Sequence, residues 1–185
     1  IYYETISIDT PGVTVRGVVR GEERPWLDGQ TARSDGFTIT GENFMLEGFG
    51  IRNFRRYGVV TATTEGGVYR DLIIENTGVY GVYAVEGIDL VVEQVQATGM
   101  ADAAIYVSQS RSPAIVRNSE LYGNGVGIKI ANSQAEIDGN DIHDNTGGIL
   151  VTLLFNSPLL VAPNVRIHDN RIENNNLPGF ARGNT

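Results

Sequence analysis

The sequence contains no cysteine, and lysine occurs only once, at Lys129. Without cysteine the chain has no disulfide scaffold, no thiolate-bound zinc or iron–sulfur centre and no thiol nucleophile. Acidic residues outnumber basic residues by 22 to 14, which gives a formal net charge of −8. A surface that binds nucleic acid needs clustered cations opposite the phosphates. This charge balance therefore argues against nucleic acid as a partner.

Long hydrophobic runs are also missing. The longest apolar stretch, residues 149–155, contains a threonine and is followed by Asn, Ser and Pro, so it falls far short of the ~20 residues that cross a bilayer. We therefore expect no membrane span. The chain begins at Ile1 rather than Met and shows no secretory leader, which indicates a mature or partial chain. The absence of cysteine and the many Gly and Asn residues favour a secreted, periplasmic or cell-surface protein.

Glycine, with 23 residues, and asparagine, with 15, are abundant and are typical of turns between short strands. Pairs of apolar residues five positions apart recur at Val13/Val18, Leu46/Ile51, Tyr69/Ile74, Leu90/Val95, Val116/Leu121, Ile137/Ile142 and Ile167/Ile172. One such unit cannot bury its apolar residues alone, whereas stacked units can. The pattern therefore predicts an all-β fold: a parallel β-helix of about seven coils with three short strands per coil, forming one domain over residues 1–185.

Asparagines recur at one position of the predicted coil. Asn124, Asn145 and Asn175 each lie three residues after the second member of an apolar pair. Asparagine tolerates left-handed turns, and its amide can bond to the equivalent amide in the next coil. We therefore predict a structural asparagine ladder. A second structural column contains Ser119, Asn140 and Asn170, preceded in earlier coils by Phe49 and Leu72.

Two columns are predicted to face outward. The first contains Glu47, Arg70, Val91, Arg117, Asp138 and His168. Neighbours of opposite charge in this column, Glu47 with Arg70 and Arg117 with Asp138, would pair between coils. In the second, the residues recur at 23-residue intervals until the last: Val60, Tyr83, Tyr106, Lys129 and Leu150. Tyrosines stacked on an exposed sheet either stabilise neighbouring strands or form a binding strip.

Two insertions interrupt the repeat. Residues 152–163 form a strongly apolar loop that includes Phe155, and loops of this length tend to dock or to carry a function. We expect this loop to fold over the tyrosine column or to contact a neighbour. The other insertion, residues 20–35, contains the only tryptophan, Trp26. We interpret Trp26 as a cap over one end of the β-helix rather than as a ligand contact.

Three sequence runs carry a family resemblance: YGVYAVEGIDLVVE at 80–93, DAAIYVSQSRSPAIVRNSELYGNGVGIKIANS at 102–133 and GNDIHDNTGGILV at 139–151. They resemble secreted bacterial right-handed parallel β-helix repeat proteins of the pectate-lyase-like superfamily. The resemblance implies a right-handed coil and export. That superfamily includes polysaccharide lyases, hydrolases, C5-epimerases and non-catalytic scaffolds, so the resemblance implies a fold more strongly than an activity.

The chain departs from this family in the apolar loop after GGILV and in stopping at Thr185. An uncapped β-helix end exposes strand edges that invite association. We therefore expect either a truncated chain or a subunit whose ends are covered by partners.

Catalytic residues are weakly indicated. Lyases of this fold need clustered carboxylates for calcium and an Arg or Lys base, and inverting hydrolases need paired carboxylates. The best acid–base pair in the sequence is Asp138 with His168, one coil apart, while His143 falls in another column over Glu173. We predict no metal site and no cofactor; calcium would enter only if the protein were a lyase.

The favoured function is a non-catalytic scaffold or binding module. It would present six residues to a protein partner or a polysaccharide: Val60, Tyr83, Tyr106, Lys129, Leu150 and Phe155. Self-association through the apolar loop and the ends of the β-helix belongs to the same hypothesis. The alternative is a polysaccharide lyase or C5-epimerase that acts on uronate-containing glycans.

Overall fold

The computed structural model describes residues 1–21, 23–155 and 162–178, which contain nineteen strands and no helix. No helix of these residues is therefore long and apolar enough to cross a membrane. The strands are β1 (Ile6–Ile8), β2 (Thr14–Arg16), β3 (Trp26–Asp28), β4 (Asp35–Ile39), β5 (Met45–Glu47), β6 (Gly50–Arg52), β7 (Tyr57–Ala62), β8 (Val68–Glu75), β9 (Tyr80–Val85), β10 (Val91–Thr98), β11 (Ala103–Ser108), β12 (Ala114–Arg117), β13 (Glu120–Tyr122), β14 (Val126–Ala131), β15 (Gln134–Asp138), β16 (Asp141–His143), β17 (Gly147–Thr152), β18 (Asn164–His168) and β19 (Arg171–Glu173).

Every pairing between these strands is parallel. A seven-stranded wall has the order β1–β4–β7–β9–β11–β14–β17. The remaining strands form two lanes. The first lane contains β2, β5, β12, β15 and β18, the second contains β3, β6, β13, β16 and β19, and the long strands β8 and β10 run through both.

The chain passes through the first lane, the second lane and the seven-stranded wall before it begins the next coil. This path makes six complete turns, from β2–β3–β4 to β15–β16–β17, with β1 before them and β18 and β19 starting a seventh. The predicted all-β parallel β-helix is confirmed, and the number of coils is close to the prediction.

The core is a stack of inward side chains from successive coils. In the seven-stranded wall five of them lie above one another without exposure to solvent: Phe37, Val59, Val82, Ile105 and Ile128. Burying one such side chain stabilises the fold by roughly 1.5–3 kcal/mol. The core also holds a hydrogen bond between the Thr61 and Tyr69 hydroxyls, and burial raises the pKa of Tyr69.

The ladder asparagines lie at the corner between the second lane and the seven-stranded wall. Asn145 Oδ1 accepts hydrogen bonds from the backbone N–H and from Nδ2 of Asn124, both at 3.0 Å. Asn175 Oδ1 accepts the same two bonds from Asn145, at 3.1 and 2.8 Å. Each side chain therefore binds a backbone group that would otherwise be buried without a partner.

The second column lies at the corner between the two lanes. Asn140 Oδ1 accepts a hydrogen bond from the Ser119 backbone N–H at 3.1 Å. Asn170 Oδ1 in turn accepts bonds from the backbone N–H and Nδ2 of Asn140 at 2.9 and 2.8 Å. In the later coils, each of these two corners therefore contains a polar ladder.

The structure corrects the predicted register in the coil of β10 and β11. Val92 and Ala97 occupy the inward positions predicted for Leu90 and Val95. All four side chains are buried, because Leu90 and Val95 lie at the corners that flank the strand segments. Apolar character alone therefore could not identify the correct pair.

As a result, Glu93 and not Val91 belongs to the outward charged column. Glu93 lies in register between Arg70 and Arg117 and forms ion pairs with both, at 2.5 and 2.7 Å. Arg117 thus pairs with Glu93, although its predicted partner Asp138 is its register neighbour in the next coil.

The first coil also differs from the prediction. Val15 and Leu27 align with the inward residues of the second coil, where Val13 and Val18 were predicted. Val18 is instead exposed. The insertion predicted at 20–35 is shorter, because residues 17–25 connect β2 to β3 and a strand follows directly.

Trp26 was predicted to lie in a loop but belongs to strand β3, in register with Gly50. Its ring packs over this glycine, where an added Cβ would lie 2.4 Å from the indole. The Arg52 guanidinium lies 4.9 Å from the ring centroid. Trp26 therefore packs between coils near the beginning of the β-helix.

Candidate functional site

The outer face of the seven-stranded wall carries the predicted aromatic column. Val60, Tyr83, Tyr106, Lys129 and Leu150 are neighbours in register from one coil to the next. The rings of Tyr83 and Tyr106 stack with centroids 5.2 Å apart and planes inclined by 16°. The 23-residue interval is therefore one full turn of the β-helix at this wall.

A second pair of tyrosines lies beside this column. Tyr57 and Tyr80 are neighbours in register, and their rings stack with centroids 5.6 Å apart and planes inclined by 9°. The Tyr80 centroid lies 4.9 Å from those of both Tyr83 and Tyr106. These four side chains are called the tyrosine cluster below.

Sequence reasoning missed Tyr57 and Tyr80, although a signal was present. They too are 23 residues apart, but only one outward position per strand was followed. Strict alternation assigns residues three apart, such as Tyr80 and Tyr83, to opposite faces of a strand, whereas in the structure both point outward and Gly81 and Val82 between them are both buried.

An ion pair borders the tyrosine cluster. Lys129 Nζ lies 3.0 Å from Asp102 Oδ2, and the two side chains are only 13% and 19% exposed. The same carboxylate accepts a hydrogen bond from the Tyr80 hydroxyl at 3.0 Å. Lys129 Nζ also lies 5.1 Å from the centroid of the Tyr106 ring, within the range of a cation–π contact. Sequence analysis did not predict Asp102, which lies in the turn before β11.

The surroundings of Tyr80 and Tyr83 raise the pKa of their hydroxyls. Burial and the neighbouring Asp102 carboxylate raise the pKa of Tyr80. Burial, with the neighbouring Tyr106 and Tyr57, raises the pKa of Tyr83. At neutral pH these phenols can therefore donate hydrogen bonds but cannot act as general bases.

Two of the four hydroxyls are engaged within the protein and two are not. Arg56 donates a hydrogen bond to the Tyr57 hydroxyl at 2.9 Å, and Tyr80 donates to Asp102. Within the described part of the chain, the hydroxyls of Tyr83 and Tyr106 have no hydrogen-bond partner. These two groups remain available to a ligand.

The tyrosine cluster lies on the outer face of the seven-stranded wall, but it is less exposed than predicted: Tyr57, Tyr80 and Tyr83 are half-buried and Tyr106 is only 6% exposed, because the neighbouring side chains cover it. Cavities of about 560 and 330 Å³ occur elsewhere, the larger beside Arg16 and Phe49 and the smaller beside Phe54 and Arg55. A regular wall fits an extended partner better than a small molecule, which a concave pocket would enclose.

The weak catalytic candidates are neighbours in register but not in contact. Asp138 aligns with His168, yet the imidazole lies 3.0 Å from Glu136 Oε1 and 2.8 Å from Asp169 Oδ2. These hydrogen bonds, first from Asp169 and then from Glu136, raise the pKa of His168. Because its ring nitrogens are engaged by Glu136 and Asp169, this imidazole is not positioned to exchange a proton with a substrate beside Asp138.

The other histidine lies in a different column, as the sequence predicts. His143 aligns with Glu173 and stacks on the Tyr122 ring at 5.3 Å. Its Nδ1 lies 2.8 Å from Asp144, and this hydrogen bond raises the pKa of His143. In the described ranges, no group of three or more His, Cys, Asp or Glu residues could hold a metal ion.

The start of the apolar loop is exposed. Leu153, Leu154 and Phe155 follow the tyrosine face at its C-terminal end, and Phe155 is 78% exposed. Asn132 fixes this segment, because its side chain accepts from the Leu154 N–H at 2.7 Å and donates to the Leu154 carbonyl at 3.1 Å. Residues 156–161 of the predicted loop lie outside the described residues.

Comparison with known proteins identifies the fold family. The family described as "Right handed beta helix region" matches residues 30–135 and, in an overlapping alignment, residues 57–183. The chain belongs to this family. The predicted right-handed β-helix is thereby confirmed.

Among solved structures, this right-handed β-helix is similar to the A-module of the Azotobacter vinelandii mannuronan C-5 epimerase AlgE6. The TM-score is 0.42 and the sequence identity is 18%, over 90% of this chain and 67% of the A-module. No curated protein sequence matches the chain. The family thus defines the architecture, and the site residues must be judged on their own chemistry.

Proposed function

We propose that this right-handed β-helix is a non-catalytic binding module that holds an extended polysaccharide along the tyrosine cluster. The observation that carries the proposal is the contact of four tyrosine rings with one another beside a mostly buried Lys129–Asp102 pair, on the outer face of the wall. Tyrosine combines apolar ring area with a polar hydroxyl, which suits the mixed C–H and O–H surface of a sugar. Such a ligand favours an extracytoplasmic location.

A purely structural role for the stacked rings would leave some features unused. Stacking between coils needs only ring area, and phenylalanine would supply it. The hydroxyls of Tyr83 and Tyr106 have no partner among the described residues and are not among the buried unpartnered atoms, so they reach solvent. They can therefore donate hydrogen bonds to sugar hydroxyls, which phenylalanine could not do.

Glycan-array screening, followed by calorimetric titration with the best polysaccharide, tests the proposal. Tyr83→Ala should weaken binding at least tenfold, because it removes both ring and hydroxyl from the centre of the cluster. Tyr83→Phe should weaken binding a few-fold, since one hydrogen bond is worth about 1 kcal/mol. Tyr122→Phe is the matched control, because Tyr122 stacks on His143 in the second lane.

The proposal fails if no glycan binds, or if Tyr122→Phe weakens binding as much as Tyr83→Phe does. Equal unfolding midpoints of the variants would establish that lost binding is not lost folding. A protein that binds the tyrosine cluster while the array is negative would replace the polysaccharide by a protein partner.

A second candidate is a lyase or C5-epimerase that acts on uronate-containing glycans. The observation that favours it is the closeness of a cation, Lys129, to a protonated phenol, Tyr80, with Asp102 bonded to both. A cation can neutralise a uronate carboxylate while an acid delivers a proton. The raised tyrosine pKa values leave no evident base for the first proton transfer, so we expect neither unsaturated sugars nor deuterium exchange at C5 on incubation with uronate polymers.

A further inference from the structure

Most arginines of this acidic protein form ion pairs, but some do not. Those with a nitrogen within 4.0 Å of a carboxylate oxygen are Arg16, Arg24, Arg52, Arg70, Arg117, Arg166 and Arg171. Among the described residues, the arginines without such a partner are Arg20, Arg33, Arg55, Arg56 and Arg111. Arg33, Arg55 and Arg56 lie at a single corner of the β-helix. These three residues are called the arginine corner below.

The arginine corner lies where the second lane of the first two coils meets the seven-stranded wall. The Arg55 backbone N–H donates to the Arg33 carbonyl at 2.9 Å, so the two residues are neighbours in successive coils, about 4.8 Å apart. Arg55 and Arg56 are exposed and Arg33 is partly exposed. Asp35 attracts Arg56 from beyond ion-pair distance. Cations this close repel one another, so an anion that bound all three would relieve the repulsion.

The arginine corner is continuous with the tyrosine cluster. The Arg56 guanidinium lies 4.6 Å from the centroid of the Tyr57 ring and donates to its hydroxyl. At this end the tyrosine rings are half-buried, whereas Tyr106, at the other end, is only 6% exposed. The cation at that other end, Lys129, is paired with Asp102. The more accessible end of the cluster is therefore also the end with unpaired positive charge.

A groove of about 330 Å³ leads from the arginine corner along the same corner of the following coils. Arg55 lines it in the second coil, Gly78 in the third, and Gly99 and Ala101 in the fourth. A Cβ added at Gly78 would lie 2.0 Å from the Arg55 carbonyl oxygen, so a side chain there would clash. These small residues keep the corner low beside β7 and β9, which carry the more accessible tyrosines. An extended polymer can therefore contact both surfaces at once.

We propose that the arginine corner binds sulfate esters of a polysaccharide whose sugar rings lie on the tyrosine cluster. The proposal rests on the polysaccharide binding proposed above, and it adds the charge of the ligand and the place where that charge is recognised. The sugar rings contact Tyr57 and Tyr83 at the more accessible end of the cluster. A sulfate group then accepts charge-assisted hydrogen bonds from the guanidinium groups beside them.

The number of free guanidinium donors favours a sulfate over a carboxylate. A carboxylate has two oxygens, which the fork of a single guanidinium matches. A sulfate ester has three terminal oxygens, so it can accept from several guanidinium groups at once. Each arginine side chain has five N–H donors. Within the described residues, Arg33 and Arg56 each use one of them, towards Gln30 and the Tyr57 hydroxyl, and Arg55 uses none.

Polymers that share one glucan backbone separate the effect of charge from that of the sugar: dextran, carboxymethyl dextran and dextran sulfate. In calorimetric titrations at equal degrees of substitution, dextran sulfate should bind at least tenfold more tightly than carboxymethyl dextran. Its affinity should fall as salt is added, because salt screens the attraction between exposed charges. Equal affinity for the two charged polymers, or no saturable binding of dextran sulfate, would overturn the proposal.

Two protein variants locate the sulfate site. An Arg33→Gln, Arg55→Gln variant should bind dextran sulfate at least tenfold more weakly, because it removes two adjacent cations. Arg111→Gln is the matched control and should bind as the wild type does: Arg111 is also exposed and without an ion pair, but it lies in the turn between β11 and β12. Unchanged urea midpoints would establish that both variants fold. Equal weakening by the two variants would show a response to net charge alone and refute the site.

Tyr83→Ala separates this proposal from the polysaccharide binding on which it rests. It should also weaken the binding of dextran sulfate, since the sugar rings lose part of their contact surface. If Tyr83→Ala weakened the binding of sulfated glycans and the double arginine variant did not, the tyrosine cluster would bind sugars and the sulfate site would be refuted. If only the arginine variant weakened binding, the sulfate site would stand and the contact of sugars with the tyrosines would be refuted. Polyglutamate bound as tightly as dextran sulfate, with the same loss in the arginine variant, would replace the polysaccharide by an acidic polypeptide.

Discussion

The early and late coils fill the same corners with different chemistry. At the corner between the two lanes, Phe49 and Leu72 precede Ser119, Asn140 and Asn170 in one column. At the next corner Phe54 is followed in later coils by Asn124, Asn145 and Asn175. One backbone path therefore accommodates either buried rings or hydrogen-bonded amides.

The comparison shows that corners of a β-helix have two separate sources of stability. A phenyl ring contributes through the apolar area that it removes from water. An amide contributes little net area but binds the backbone N–H of the preceding coil, and each such group left buried and unpaired costs about 1–3 kcal/mol. Aromatic corners therefore depend on volume, whereas amide corners depend on an unbroken series of hydrogen bonds.

The largest effect is expected at an aromatic corner. Phe54 is 1% exposed, and its ring lies against Gly29 and Gly36, whose backbones leave no room for a Cβ. Phe54→Ala should lower the free energy of unfolding by about 3–5 kcal/mol, because these glycines cannot fill the cavity. Urea unfolding measures the loss, and Phe155→Ala, at a 78% exposed position, should change it little. If Phe54→Ala lowered the free energy of unfolding by less than about 1 kcal/mol, the aromatic corners would not depend on side-chain volume more than the amide corners do.

A smaller, graded effect is expected along the amide ladder. Asn145 is fully buried, and it accepts from Asn124 and donates to the Leu121 carbonyl at 2.9 Å. Asn145→Ala should therefore cost about 2–3 kcal/mol, since it leaves buried groups on two coils unpaired. Asn175→Ala, at the end of the ladder, should cost about 1 kcal/mol, because solvent reaches the groups that it leaves. Equal losses in urea unfolding would contradict a ladder in which each rung supports its neighbours.

The sequence predicts the coil and most of its register because the interval between equivalent residues is set by the geometry of one turn. The 23-residue interval that places Tyr83 over Tyr106 is the length of chain needed for one turn. The asparagines are equally informative, since their amides must lie at corners to bind the preceding coil. Where a coil has several neighbouring apolar residues, as at Leu90 and Val92, the pattern fits two registers and only packing decides between them.

The candidate site is predicted less completely, because it depends on side chains from different parts of the coil. Asp102 comes from a turn and bonds to Tyr80 and Lys129, which lie in two different strands. Turn residues show no periodicity that would locate them on a face. The partner of Arg117 likewise depends on the register, and a shift of two residues replaced Glu93 by Val91.

The smallest effect concerns pH, and histidines and carboxylates contribute to it with opposite sign. Both histidines, His143 and His168, lie in the last two coils, and hydrogen bonds to neighbouring carboxylates raise the pKa of each. A raised histidine pKa contributes stability below the unfolded value of about 6.5, and that contribution is lost as pH rises through the folded value. Between about pH 6 and 8, the urea midpoint should therefore fall slightly in the wild type and stay level in a His143→Gln, His168→Gln variant.

The acidic residues of the earlier coils give the opposite sign. Burial raises the pKa of Glu93, but hydrogen bonds from Arg117 and Arg70 outweigh it and hold the pKa below the ordinary value. A lowered carboxylate pKa contributes stability above the unfolded value, near 4.3, that is lost as pH falls through the folded value. Glu93→Gln should therefore weaken the protein at neutral pH yet flatten its loss of stability below about pH 5. If Glu93→Gln lost stability below about pH 5 as steeply as the wild type, the ion pairs of Glu93 would not contribute to the acid dependence.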